Sequence, residues 1–238
     1  MIKLPLQYRN GHLFIELGDG LWLLDTGAPD SFGTAVSLSL AGEQFAIQSN
    51  YLGLTAEALS RFVNVRCMGI LGGDVLGGFD HILDVAGGTI SIATDELALT
   101  GASVDLDDFM GIPIVEARIS GSSCRMFFDT GAQLSYLQED ALAGFPSAGP
   151  AIDFYPGVGQ FQTETHEVQL RIGTEMFTLR CGRLPDMLGM TLMMANTQGI
   201  VGNEVLRDRT VGYFPRRGTL TISCLKATTG SPTPWLGD

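Results

Sequence analysis

Apolar residues run along this chain in short bursts, each closed by turn-forming residues. Leu21-Trp22-Leu23-Leu24 ends at Asp25-Thr26-Gly27-Ala28, and Met126-Phe127-Phe128 ends at Asp129-Thr130-Gly131-Ala132. Each burst reads as a strand that delivers an aspartate to a tight glycine turn. Helical spacing is sparse: Thr55 to Val63 begins with a capping threonine and repeats its apolar residues at about 3.6. Asp74 to Leu76 and Glu204 to Arg207 read as short helical turns. With 31 glycines and frequent turn signals, the pattern predicts an all-β or mostly β fold.

The two aspartate turns belong to an internal repeat, because other landmarks recur in the same order. Gly69-Ile70-Leu71-Gly72 followed by Val75-Leu76 matches Gly199-Ile200-Val201-Gly202 followed by Val205-Leu206. Gly88-Thr89-Ile90-Ser91-Ile92 begins 16 positions after Gly72, and Gly218-Thr219-Leu220-Thr221-Ile222 begins 16 after Gly202. Leu38-Ser39-Leu40 reaches Phe45 in seven positions, as Leu170-Arg171-Ile172 reaches Phe177.

Between the aspartate and this last strand there are 13 positions in the first half and 41 in the second. The difference, about 28 residues between Tyr136 and Thr163, is an insertion after the second turn. Its Phe154-Tyr155-Pro156-Gly157-Val158-Gly159-Gln160-Phe161 predicts a hairpin with a glycine-rich tip. The chain divides into residues 1–106, residues 107–225 and a mobile tail, 226–238, rich in Thr, Ser, Gly and Pro.

Charge and composition narrow the function classes. A net charge of −12 argues against nucleic acid or an anionic membrane as partner. No apolar stretch approaches the roughly 20 residues of a membrane span. The N-terminus lacks a signal-peptide core, so a cytoplasmic location is expected. Cys67, Cys124, Cys181 and Cys224 are scattered, which suits small buried hydrophobes in a reducing compartment, with two disulfides as the alternative elsewhere. Asp105-Leu106-Asp107-Asp108 reads as a solvated connector rather than a cation site. Met187, Met190, Met193 and Met194 read first as core filler, second as an adaptable pocket wall.

Several chemistries fail on residue pattern. His166-Glu167 has Leu170 where a zinc helix needs its second histidine, Gly157-Val158-Gly159 has Gln162 where a dinucleotide loop needs glycine, and no Gly-x-Ser-x-Gly occurs. His12, His81 and His166 are dispersed and read as ordinary surface or core residues. No metal and no cofactor is expected.

If the two turns face each other across a pseudo-two-fold axis, Asp25 and Asp129 lie side by side, about 3 Å apart, and share one proton. Such a pair combines general base and general acid, which suits hydrolysis of an amide by water without a covalent intermediate. Thr26 and Thr130 suit a mutual interlock of the turns, and Gly27 and Gly131 allow close backbone approach.

On these motifs, from about residue 10 to 223, the chain resembles an aspartic peptidase of the pepsin and retropepsin clan. The alanine after each glycine and the short halves are similar to the retroviral type, here as though a dimer were fused into one chain. The resemblance implies a two-lobed, pseudo-two-fold acid-protease fold with closed-barrel-like lobes, few short helices and Asp25 and Asp129 as catalytic dyad. It implies a flap near Tyr155, Gly157, Val158 and Gly159, and here the sequence departs from the retroviral pattern of a flap on each lobe: the 13 positions from Asp25 to Leu38 leave the first lobe no room for one, and the single flap falls on the second lobe where that of pepsin falls on the first. It further implies an endopeptidase acting on peptide or protein substrates, with apolar residues preferred around the scissile bond, and a monomer, because a fused dimer completes its own site. The rival expectation keeps the fold without the enzyme, as a two-lobed peptide-binding or scaffold module.

Overall fold

Strands that are apolar on both faces need cover on both sides, and the burst before each aspartate receives it. In a computed structural model describing residues 1–155, 159–184 and 188–223, the strands Gly20–Leu24 and Ser122–Phe128 carry these bursts. Successive side chains point to opposite faces. Trp22, Leu24, Met126 and Phe128 enter one continuous core, whereas Leu23 and Phe127 turn outward into separate apolar clusters. Strands hold 54% of the residues and helix 13%, so the mostly β expectation holds. Among the described residues no helix is long and apolar enough to cross a membrane.

The repeat reappears in strand pairing. In the first half Ile2–Arg9, His12–Leu17 and Gly20–Leu24 form an antiparallel meander. Its last strand runs parallel to Gly69–Leu71, which pairs on its other side with Phe32–Gly33. In the second half Ala102–Phe109, Ile112–Ile119 and Ser122–Phe128 form the same meander, flanked by Gly199–Val201 and then Ser135–Leu137. The registers agree, with Leu23 opposite Ile70 and Phe127 opposite Ile200.

A six-stranded antiparallel sheet joins the halves. Its order is Ile2–Pro5, Thr89–Ala93, Asp80–Asp84, Thr210–Phe214, Thr219–Ile222, Ala102–Asp105, which reads the same from either end in terms of the repeat. The centre is the pairing of Ile82 with Gly212 and Leu83 with Val211. Asp80, fully buried in it, binds Arg216 at 3.1 Å and Arg217 at 2.6 Å across the two halves.

This sheet corrects one expectation. The acidic segment Asp105–Asp108 is not a connector but the middle of strand Ala102–Phe109, and the expected division between 106 and 107 falls inside that strand. Ala102–Asp105 pairs in the joining sheet and Leu106–Phe109 in the meander. Asp107 forms an ion pair with Arg125 at 2.9 Å, so the acids sit on a strand with their charges directed outward.

The predicted helix spans Ala56–Phe62, capped by the Thr55 hydroxyl accepting from Ala58 N–H at 3.3 Å, with Leu59 buried beneath. Both predicted helical turns form, as Gly73–Leu76 and Asn203–Leu206. Leu38 pairs with Phe45 and Leu170 with Phe177 in equivalent hairpins. The insertion is the hairpin Ser147–Tyr155 and Gly159–Ile172, with Tyr155 opposite Gly159. Where the second half extends these strands, the first half carries a small hairpin, Asn50–Tyr51 with Leu54–Thr55, and its helix.

Three of the four methionines expected as core filler are not core. Met190, Met193 and Met194 are 71–74% exposed on the helix Gly189–Met194, whose buried side is taken by Leu192. A helix this short buries one face, and the leucine occupies it. Cys67 and Cys181 are buried free thiols and Cys124 is a half-buried one. Met187, Cys224, Gly157, Val158 and the tail lie outside the described residues.

Candidate active site

Each aspartate is fixed at a strand end by the partner strand. Asp25 N–H donates to Leu71 C=O at 3.0 Å and Asp129 N–H to Val201 C=O at 2.9 Å. The chain then folds back, so that Gly27 and Ala28 N–H groups both donate to Asp25 Oδ1 at 3.0 Å. Gly131 and Ala132 do the same for Asp129 Oδ1, at 2.9 and 3.1 Å. One oxygen of each carboxyl is thereby held, and the two groups hydrogen-bond to each other.

Glycine is required by this approach. A Cβ on Gly27 would lie 2.3 Å from Asp129 Cγ, and one on Gly131 would lie 2.3 Å from Asp25 Cγ. The threonines interlock as the sequence implies. Thr26 N–H donates to Thr130 Oγ1 and Thr130 N–H to Thr26 Oγ1, both at 3.0 Å. Their hydroxyls donate across the interface to Phe128 C=O at 2.6 Å and Leu24 C=O at 2.9 Å. All four groups are buried, so Thr130→Val, which keeps the shape and removes the hydroxyl, is expected to destabilise the protein by about 2 kcal/mol. Urea denaturation checks it; an unchanged midpoint would contradict the interlock.

The repeated glycines brace the turns from behind. Gly72 N–H donates to Ser31 Oγ at 2.8 Å, and Gly202 N–H to Ser135 Oγ at 3.1 Å. Gly73 N–H and Asn203 N–H bind the carbonyls of Ala28 and Ala132 at 2.8 and 2.9 Å.

Burial disfavours the charged form of both carboxyls; the charge of Asp129 adds to it at Asp25, and that of Asp153 adds to it at Asp129. Asp25 is held well above the ordinary carboxylate range, and Asp129 is raised as well, against the lowering pull of the backbone donors. The pair therefore keeps one proton where isolated aspartates would have lost both. A group above it can receive a proton from one carboxyl and give one to the other.

The pair lies in a cavity of about 300 Å³ with largely apolar walls, among them Ile70, Ile112, Ile200, Tyr51 and Tyr155. A larger hollow of about 670 Å³ beside Glu139 and Arg183 lies away from the dyad and shares with this cavity only Phe161. The sequence-derived residues Asp25, Thr26, Gly27, Asp129, Thr130 and Gly131 thus come together, and Tyr155 reaches the cavity from the inserted hairpin. Gly159 closes the described end of that hairpin. Among the described residues no cluster of His, Cys, Asp or Glu suits a metal ion.

Three residues around the second turn escaped the sequence reading. His12, set aside as dispersed, is buried and donates Nδ1–H to Gly131 C=O at 3.1 Å. Burial lowers its pKa, against the pull of nearby Asp153. Asp153 is buried too, accepting from the Tyr136 hydroxyl and from Phe154 N–H at 2.8 Å. In the repeat His12 corresponds to Ile112 and Tyr136 to Phe32, because each occupies the same register position. The second turn therefore has His12 and Tyr136 where the first has Ile112 and Phe32. The Asn10-Gly11 turn before His12 was the available signal, since it folds that residue back onto a strand.

No protein-family model matches the chain, and no curated protein matches it in sequence. The functional reading rests on the site itself.

Proposed function

We propose that the protein is an aspartic endopeptidase, built as a two-lobed, pseudo-two-fold acid-protease fold in which a retropepsin-type dimer has become one chain. The observation that carries this reading is the pair of interlocked turns presenting two hydrogen-bonded, buried carboxyls to one apolar cavity. The repeated pairing, mirrored across a joining sheet, supports the two-lobed description with barrel-like lobes. The ionised carboxyl removes a proton from water as its oxygen adds to the scissile carbonyl carbon, while the protonated carboxyl gives its proton to the carbonyl oxygen. The resulting diol collapses as one of its hydroxyls returns a proton to the carboxylate that gave one, the C–N bond breaks, and the amine leaves with the proton first taken from water. The dyad returns to its singly protonated state.

Tyr155, on the inserted hairpin that reaches the cavity, serves in this reading as a flap residue, and Gly159 opposite it closes the described end of that hairpin; Gly157 and Val158, the other expected flap residues, lie outside the described residues. The apolar walls favour apolar side chains around the scissile bond. No partner chain is needed to complete the dyad, so the enzyme works as a monomer.

The test is digestion of a diverse peptide pool between about pH 3 and 7, with Asp25→Asn and Asp129→Asn in parallel. Cleavage by the wild type that both variants lose supports the reading; binding without cleavage at every pH replaces it with the peptide-binding module.

The pH profile has a definite sign. Activity needs one proton on the pair; it falls as pH drops and both carboxyls protonate, and as pH rises and the shared proton leaves. Burial raises both pKa values, and Ala28 and Ala132 offer no side-chain hydroxyl to stabilise the ionised form. The optimum is therefore expected in mildly acidic solution; one below about pH 3 would refute it.

A further inference from the structure

Of the seven hairpins that turn through two residues among the described residues, five have glycine second: Asn10-Gly11, Ala41-Gly42, Leu52-Gly53, Met110-Gly111 and Ser120-Gly121. In each the first residue has φ between 48° and 55° and the glycine between 80° and 93°. That left-handed backbone favours Asn, Asp or Gly and disfavours a large side chain. Asn, Ala and Ser obey the preference to differing degrees. Leu52 and Met110 violate it, and they are also 67% and 74% exposed to water.

Neither packing nor turn chemistry accounts for these two residues. Position does: of the exposed large apolar side chains among the described residues, Leu52 and Met110 are the two that line the dyad cavity. Both belong to the Asp25 side. A Cβ on Gly73 would lie 2.6 Å from Gly111 C=O, and Gly73 N–H binds Ala28 C=O, so the Met110 tip sits against the first turn. Tyr51, next to Leu52, feels the charges of Asp30 and Asp25 and stands close to Tyr155 of the inserted hairpin.

The equivalent tip on the other side is built differently. Asn10 donates its side-chain amide to Val63 C=O at 3.2 Å and Asn64 C=O at 3.1 Å, and Phe154 of the inserted hairpin stacks on Phe62 beside it, with ring centroids 5.3 Å apart. That side is tied down by polar contacts and covered.

We propose that Leu52 and Met110 are specificity-determining residues, two apolar turn tips, one from each half of the chain, that clasp a bulky apolar side chain of the bound peptide on the Asp25 side of the cleft. This rests on the endopeptidase reading for the nature of the ligand. The exposure is relieved when the peptide side chain removes both tips from water, while the backbone cost is borne in both states.

The decisive variants are Leu52→Asn and Met110→Asn, because Asn suits the left-handed turn and removes the apolar surface. Ala41→Asn, at a tip far from the cavity lining, is the control. Melting temperature and the affinity for fluorescein-labelled octapeptides, Gly/Ser frames carrying Phe and Leu or none, are measured by thermal scan and anisotropy on an Asp129→Asn background, and KM and kcat on the wild-type background. Both cleft variants are expected to keep or raise the melting temperature while weakening the Phe/Leu peptide about tenfold, in KM more than kcat. Ala41→Asn should leave binding unchanged. Unchanged affinity in the cleft variants overturns the proposal, as does weaker binding that comes with a lower melting temperature. Failure of the wild type to cleave any peptide overturns the endopeptidase reading alone, since binding is measured without cleavage.

Discussion

Asp25→Asn and Asp129→Asn are each expected to lower kcat by about a thousandfold or more while raising the melting temperature at neutral pH. The loss follows from the shared proton. An amide can neither take a proton from water nor give one to a leaving nitrogen, and each variant removes one of two roles that general acid–base catalysis values at about 10² to 10⁴. The gain in stability follows from the same burial. Both folded carboxyls hold their protons more tightly than unfolded aspartates do. The folded state therefore binds more protons above the ordinary carboxylate pKa of about 3.9, and stability falls as pH rises from there through the raised folded values. Asparagine removes that loss. Its Oδ1 accepts from Gly27 and Ala28, or Gly131 and Ala132, as the carboxylate does, and its amide can donate to the remaining aspartate. The rise in melting temperature should be larger at pH 7 than at pH 4. Detectable cleavage at wild-type rate by either variant would end the dyad assignment. A lower melting temperature at pH 7 would show instead that the carboxyls stabilise the fold.

What the sequence showed and what it hid differ in the range of the interactions involved. The aspartate turns, the bracing glycines and the paired hairpins at Leu38 and Leu170 are each specified within a few residues, and duplication printed them twice. Their registers in the structure coincide. His12, Tyr136 and Asp153 come from three separate strands and meet only because the first meander's hairpin leans on the second turn. No local spacing encodes that contact. The Asn50–Thr55 hairpin has strands of two residues each, too short for a period of two to register. Asp105–Asp108 misled for a different reason: a run of acids suggests solvent on all sides, yet a strand exposes alternate side chains while its backbone stays paired. The methionines misled through composition, since apolar character alone does not say which helix face meets the core.

Gly27→Ala separates geometry from chemistry in the dyad, because it leaves both carboxyls and both threonines in place. Gly27 does not have a positive φ, so its backbone accepts alanine without strain. The obstacle is the Cβ itself, which would lie 2.3 Å from Asp129 Cγ and Oδ2 and 2.6 Å from Oδ1. Asp129 cannot swing aside, since Gly131 and Ala132 N–H groups hold its carboxyl. The turns must move apart. Separation lengthens the two reciprocal 3.0 Å threonine bonds in a fully buried interface. Overpacking costs about 1–3 kcal/mol and each weakened buried hydrogen bond about 1 kcal/mol more, so destabilisation of about 3 kcal/mol is expected. Displacing the carboxyls by about an ångström is expected to reduce kcat a further hundredfold in whatever protein remains folded. Gly78→Ala is the matched control: its Cβ meets only Val75 C=O, at an ordinary 3.6 Å, on the exposed end of the turn after Gly73–Leu76. It should keep both stability and activity. If urea denaturation gives Gly27→Ala the same midpoint as the wild type, the two turns do not approach as closely as this dyad requires, and the shared proton loses its structural basis.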